Sequence, residues 1–122
     1  MTKTIAEILD GYSIAHLKAE RIGTEDTKLN LEEYKKAIKE LESKYPGISW
    51  NVVCKAFIDT NATIWKYEAA IRQGVIDNDP AQIAARAILV REFNQIRVGL
   101  GNVVLALLKQ GMLNYKKEHV SE

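Results

Sequence analysis

Residues 50–72, WNVVCKAFIDTNATIWKYEAAIR, decide the fold. This stretch contains neither proline nor glycine, and one set of side chains recurs at steps of four and three residues, the spacing of a single helix face. The set consists of Trp50, Cys54, Phe57, Asn61, Ile64, Glu68 and Ile71. Ser49 precedes the stretch at an N-cap position, and Gly74 follows it at a position that suits a helix end. The pattern predicts a long helix that ends at about Arg72.

Two more helices are predicted before this stretch. The first runs from about Thr4 to Ile22, because Thr4 and Glu7 have capping-box spacing and Gly23 can end the helix. Its apolar residues lie on more than one side, which favours a central position in the fold. The second runs from about Leu31 to Lys44 with Asn30 as its cap, and mixed charges cover all but one narrow apolar stripe.

The fourth helix begins at Pro80, with Asp79 at the N-cap. It extends to about Gly111 or as far as Lys117. Gly99 and Gly101 each weaken it by roughly 1 kcal/mol relative to alanine, and they permit either a kink or a close approach of another helix.

Four helices with short connections predict an all-α fold, an antiparallel four-helix bundle in up-down-up-down order. We expect residues 1–122 to form this bundle as a single domain. The third and fourth helices are the longest in this prediction and extend beyond the other two, which favours a homodimer.

The composition excludes several classes of protein. The 122 residues carry a formal net charge of +1, which argues against a nucleic-acid binder. Cys54 is the single cysteine, and no Cys/His cluster has zinc spacing, so we expect no disulfide, no metal and no cofactor. The uncharged run Val98–Leu108 is shorter than the roughly 20 residues of a membrane span. With Glu7 and Asp10 interrupting the first apolar pattern, we expect no signal peptide and a cytoplasmic protein without membrane contact.

Polar side chains lie on helix faces that a plain bundle would fill with apolar ones. Asn61 and Glu68 do so in the third helix, and Arg72 follows Glu68 by four residues, where the two can pair. In the fourth helix the predicted inward stripe is Arg86, Leu89, Phe93, Arg97, Leu100, Val104 and Leu107. The candidate site residues are Asp10, Lys18, Arg21, Asn61, Trp65, Glu68, Arg72, Arg86, Asn94 and Arg97. Cations outnumber carboxylates in this set, which predicts a net positive interior.

Two interpretations of the candidate residues are open. An unpaired charge in a core costs several kcal/mol, so these groups form either a paired structural network or a solvated pocket. In the structural network, arginines bury their methylene groups while their guanidinium groups stay solvated, and Asn61 fixes the helix register. In a pocket, guanidinium groups that converge on a cavity would bind phosphate or carboxylate through paired hydrogen bonds.

Three segments resemble a family of small helical proteins of unknown function from bacteria and phages. The segments are residues 7–22 (EILDGYSIAHLKAERI), 61–72 (NATIWKYEAAIR) and 85–102 (ARAILVREFNQIRVGLGN). The resemblance implies a helical fold and places the family's polar positions on the ten candidate residues. Gly11 stands where the family has a lysine. Some members are encoded near glycosyltransferase or surface-polysaccharide genes, and the family brings no known activity.

These observations favour a non-enzymatic accessory or structural protein with a charged seam in its core, which forms a homodimer or binds another protein. One alternative is a binding protein for an anionic metabolite, such as a phosphorylated sugar, a nucleotide or a dicarboxylate. Another is a helical enzyme in the style of the chorismate mutases, in which Arg21, Arg72 and Arg97 clamp the substrate and Glu68 is the polar catalyst. We expect Cys54 to be an inert buried thiol.

Overall fold

The structure is a computed structural model that describes the backbone of residues 3–121 and the side chains of residues 3–109. The helices are α1 (Ile5–Arg21), α2 (Glu25–Lys44), α3 (Trp50–Arg72) and α4 (Pro80–Ser121). The described residues form no strand, which confirms the all-α four-helix prediction, and α4 and α3 are the longest helices. None of the described helices combines the length and the apolar character that a membrane span requires.

The ends of α1 follow the capping signals of the sequence. The Thr4 hydroxyl accepts a hydrogen bond from the backbone N–H of Glu7 at 3.1 Å. At the other end, the backbone N–H groups of Ile22 and Gly23 both donate to the carbonyl of Lys18. Gly23 has a φ of 71°, a left-handed conformation that glycine adopts without steric cost.

α2 begins six residues earlier than the apolar pattern predicts, at Glu25 instead of Leu31. Thr24, not Asn30, is the N-cap, and its hydroxyl accepts a hydrogen bond from the Thr27 backbone N–H at 3.3 Å. Carboxylates in the first turn, including Glu25, stabilise this start because they lie near the positive end of the helix dipole. The prediction followed hydrophobic periodicity, which starts only at Leu31, and so missed the capping signal.

α4 begins as predicted and continues through both glycines. The Asp79 carboxylate accepts a hydrogen bond from the Gln82 backbone N–H at 3.1 Å. A Cβ at Gly101 would lie 3.2 Å from the Cβ of Ala6, so Gly101 allows α1 and α4 to approach closely. A Cβ at Gly99 would meet nothing within 4 Å. The helix extends beyond its predicted end, to Ser121.

Side-chain contacts define the relative directions of the helices. From Asp10 to Arg21, α1 contacts Asn61 and then Trp65, so α1 and α3 run in the same direction. α4 runs opposite to α3, because Arg97 bonds to Asn61 whereas Phe93 packs near Tyr67, farther along α3. α2 starts beside the end of α1 and runs back along it, so that Leu41, near the end of α2, packs in the same core cluster as Leu9, near the start of α1. The order is therefore up-down-up-down.

α1 lies at the centre of this arrangement and packs against the other three helices, as its apolar pattern indicates. Leu9 and Phe57 are the largest apolar side chains that are almost completely buried, and they join helices α1 and α3. The main core cluster consists of Leu9, Ile38, Leu41, Trp50, Cys54, Phe57, Val104 and Leu108. The predicted inward face of α3 is buried from Trp50 to Ile64.

The inward stripe predicted for α4 is wrong at two positions. Leu89 and Leu107 are 36% and 47% exposed, and the adjacent residues Val90 and Leu108 turn inward instead. At each position two apolar residues are adjacent in the sequence, Leu89 with Val90 and Leu107 with Leu108. Periodicity alone could not decide which residue of each pair faces the core.

Candidate functional site

Asp10 on α1, Asn61 on α3 and Arg97 on α4 meet in one polar network. The Asn61 amide nitrogen donates to Asp10 Oδ1 at 3.0 Å, and the Asn61 amide oxygen accepts from Arg97 Nη1 at 3.1 Å. Arg97 Nε also lies 3.7 Å from Asp10 Oδ1. Asn61 is buried, while the Asp10 and Arg97 side chains are about one-third exposed. The network therefore links three helices from the protein interior to the surface.

Ser13 belongs to the same network, although it is not among the candidate residues predicted from the sequence. Its hydroxyl accepts the second hydrogen bond of the Asn61 amide nitrogen at 2.5 Å and donates to the Asp10 backbone carbonyl at 2.7 Å. Ser13 is fully buried and lies four residues from both Leu9 and Leu17, which are buried too. A serine between two leucines on one helix face was the signal that could have identified it.

The buried hydrogen-bonding groups of this network are satisfied. Asn61 uses both amide hydrogens and its carbonyl oxygen, and across the described side chains no buried nitrogen or oxygen lacks a partner. One carboxylate and one guanidinium group balance each other. The predicted net positive interior is wrong, because Lys18, Arg21 and Arg72 are exposed.

Two other candidate cations pack on aromatic rings at separate places. The Arg21 guanidinium carbon lies 5.2 Å from the centre of the Trp65 ring, and that of Arg86 lies 5.8 Å from the Tyr67 ring. Such cation–π contacts hold the long side chains against the surface of the bundle. Neither arginine joins the Asn61 network through a described hydrogen bond.

The remaining candidates do not form the predicted cluster. Glu68 and Asn94 are half-buried, on α3 and α4, respectively. Although Arg72 follows Glu68 by four residues, the ion pairs found among the described side chains do not include these two. The structure thus brings together Asp10, Asn61 and Arg97 and pairs Arg21 with Trp65, and the described hydrogen bonds and ion pairs do not connect the remaining candidates to either group.

A cleft of about 330 Å³ lies between α1 and α4 beside the network. Asp10 and Arg97 form part of its lining, together with Glu7 and with apolar side chains that include Phe57 and Leu105. Two carboxylates therefore face one guanidinium group there. This balance of charge disfavours an anionic ligand, whose charge would be repelled by the carboxylates.

A second cleft, of about 350 Å³, lies between α2 and α3. Lys35, Lys39 and Lys55 line it, but Lys35 is paired with Glu32 at 3.2 Å and Lys55 with Asp59 at 2.8 Å. Cys54 and Tyr12 form part of its floor. Burial raises the pKa of the Cys54 thiol to about 11 and raises the pKa of the Tyr12 hydroxyl as well. Both groups are therefore protonated near neutral pH, and neither is an activated nucleophile.

Within the described residues, no group of three or more His, Cys, Asp and Glu side chains is placed to hold a metal ion. Comparisons with family models, curated proteins and solved structures gave no significant match. The geometry of the chain itself therefore provides the basis for a functional proposal.

Proposed function

We propose that this protein is a non-enzymatic helical protein of the cytoplasm, a structural or accessory component that associates with itself. The observation that supports the proposal best is the position of Arg97, whose guanidinium group is bonded to Asn61 and paired with Asp10. These contacts hold the guanidinium group between α1 and α3, and the two carboxylates that line the adjacent cleft, Glu7 and Asp10, disfavour an anionic substrate there. Arg97 acts as a fixed part of the bundle.

The separation of the other cations supports the same proposal. An enzyme in the style of the chorismate mutases would need Arg21, Arg72 and Arg97 around one cavity. In this fold Arg21 packs on Trp65, Arg97 bonds to Asn61, and Arg72 is exposed. A substrate clamp made of these three residues has no geometric support.

Binding of an anionic metabolite is the weaker alternative. Arg97 lines the cleft between α1 and α4, which is the feature in its favour, but Glu7 and Asp10 line the same cleft. A role beside glycosyltransferases rests on the family resemblance alone and stays a prediction.

The test compares two arginines by equilibrium unfolding in urea. Arg97→Met should lower the free energy of unfolding by about 1–2 kcal/mol, because it removes a hydrogen bond and leaves Asn61 Oδ1 without its donor. Arg72→Met is the matched control and should change the free energy by less than about 0.5 kcal/mol, since Arg72 is exposed. Equal effects of the two substitutions would contradict a structural role for Arg97.

The same proteins should be melted with phosphate, sugar phosphates, sugar nucleotides and small dicarboxylates. A ligand at about 100 times its Kd would add roughly 2.7 kcal/mol, a shift of several degrees. We expect no selective shift. A shift with one anion that disappears in Arg97→Met would replace our proposal with the binding-protein alternative.

A further inference from the structure

The outer surface of α4 carries a regular row of exposed apolar side chains. Leu89, Ile96 and Val103 follow one another at intervals of seven residues, and Leu107 comes four residues later. Ile96 is 48% exposed and Val103 is 56% exposed, although both are large apolar residues. Isolated exposed apolar residues are common, but a row at one fixed interval indicates a surface that meets a partner.

Phe93 and Leu100 complete this row. With them the spacing becomes four, three, four, three and four residues, which is the alternation of a coiled-coil seam. We call these six residues the α4 seam: Leu89, Phe93, Ile96, Leu100, Val103 and Leu107. Phe93 packs near Tyr67, and Leu100 packs against the core cluster, so one edge of the seam is covered within the chain. The other edge is open.

The bundle itself uses a different stripe of α4. Arg97, Val104 and Leu108 turn toward α1 and α3, along with the residues on the same side of the helix. α4 therefore has two apolar stripes, and the fold covers one of them and only one edge of the other. Among the described residues α4 packs mainly on α1 and α3, and these helices leave the other edge of the seam exposed.

We propose that the α4 seam is the interface between two copies of this protein, which pair α4 against α4 through the open edge of the seam. This inference rests on the proposed self-association and identifies the surface that performs it. A seam with a period of 3.5 residues packs best on another seam of the same period, and a second copy supplies an identical one.

The dimensions of the seam suit such an interface. From Leu89 to Leu107 it is about 27 Å long at 1.5 Å per residue. Each of the four half-exposed side chains leaves roughly 90 Å² accessible, which gives about 700 Å² over two copies. With the flanking residues the buried area is on the order of 1,000 Å², the size of a weak interface. Such a dimer should dissociate on dilution.

The decisive experiment compares Ile96→Glu with Val98→Glu by light scattering after gel filtration. Both substitutions add one carboxylate at an exposed apolar position of α4, but Val98 lies outside the seam, in the lining of the cleft between α1 and α4. At a high loading concentration we expect wild type and Val98→Glu to approach twice the 13.7 kDa mass of one chain, and Ile96→Glu to have the mass of a single chain. Circular dichroism should give the same helical signal for all three proteins.

The possible results separate the inference from the proposed function. A dimer that survives Ile96→Glu, or that Val98→Glu also dissociates, would overturn the seam as the interface while self-association stands. A wild-type protein that is monomeric at high concentration would overturn both. If Ile96→Glu loses its helical signal, then Val103→Asn, a milder change on the seam, takes its place and must weaken the dimer.

Discussion

The reactivity of the Cys54 thiol tests how well the core excludes reagents from solution. The thiol is buried, and burial raises its pKa to about 11. Only the thiolate reacts with disulfide reagents, so native labelling at pH 8 should be at least about 100-fold slower than labelling of the unfolded chain. The measurement is simple because the chain has one cysteine. Rapid native labelling would mean that the cleft between α2 and α3 opens to the thiol.

The same group makes stability depend on pH. Its pKa is higher in the folded protein than the ordinary value of 9.0, so the unfolded chain ionises first as the pH rises. The contribution of the protonated Cys54 thiol to the free energy of unfolding is therefore complete below pH 9. It is lost between about pH 9 and 11, and the loss is roughly 2 kcal/mol. Cys54→Ala should remove this part of the pH dependence.

Asn61 shows how far single residues could be predicted. Its place on an apolar face identified it as an inward polar residue, and Asp10 and Arg97 were selected for the same reason. Helix periodicity gives only the direction of each side chain within its own helix. Which side chains meet depends on the rotation and the axial shift of neighbouring helices, so the sequence could not distinguish the partners of Asn61 from the unconnected Glu68 and Arg72.

The ends of the elements were predictable where a cap and an apolar pattern coincide, as at Thr4 and Asp79. The start of α2 after Thr24 was not predictable, because the first full turn that follows this cap is polar and gives no hydrophobic periodicity. The stripe of α4 failed for a different reason. That helix is apolar on two sides, and only the packed structure decides which side is covered by α1 and α3.

Two glycines test the packing of helix elements. A Cβ at Gly11 would overlap the Tyr34 ring of α2, whereas a Cβ at Gly99 would reach open space. Gly11→Ala should therefore lower the free energy of unfolding by about 1–3 kcal/mol, and Gly99→Ala should raise it by about 1 kcal/mol through helix propensity. Urea unfolding at one protein concentration measures both. A Gly11→Ala protein as stable as the wild type would show that Tyr34 is free to move away.

At the scale of the whole molecule, burial is unequal among the helices. α1 is covered by three neighbours, while α4 keeps a second apolar stripe exposed. A chain whose longest helix is half covered gains stability when a second copy buries the α4 seam. Folding and association are then linked, because any partner that binds only the folded state stabilises it.

This linkage predicts a melting temperature that depends on protein concentration. Tenfold dilution should lower the Tm of the wild type by about 3 °C if the dimer unfolds directly to two chains. Ile96→Glu should melt at a lower temperature that dilution does not change, and the Tm of Val98→Glu should fall on dilution as that of the wild type does. A dependence on concentration that Ile96→Glu alone loses reports contact across the seam. A wild-type Tm that is constant over a hundredfold range of concentration would mean that the exposed stripe of α4 contributes nothing to stability.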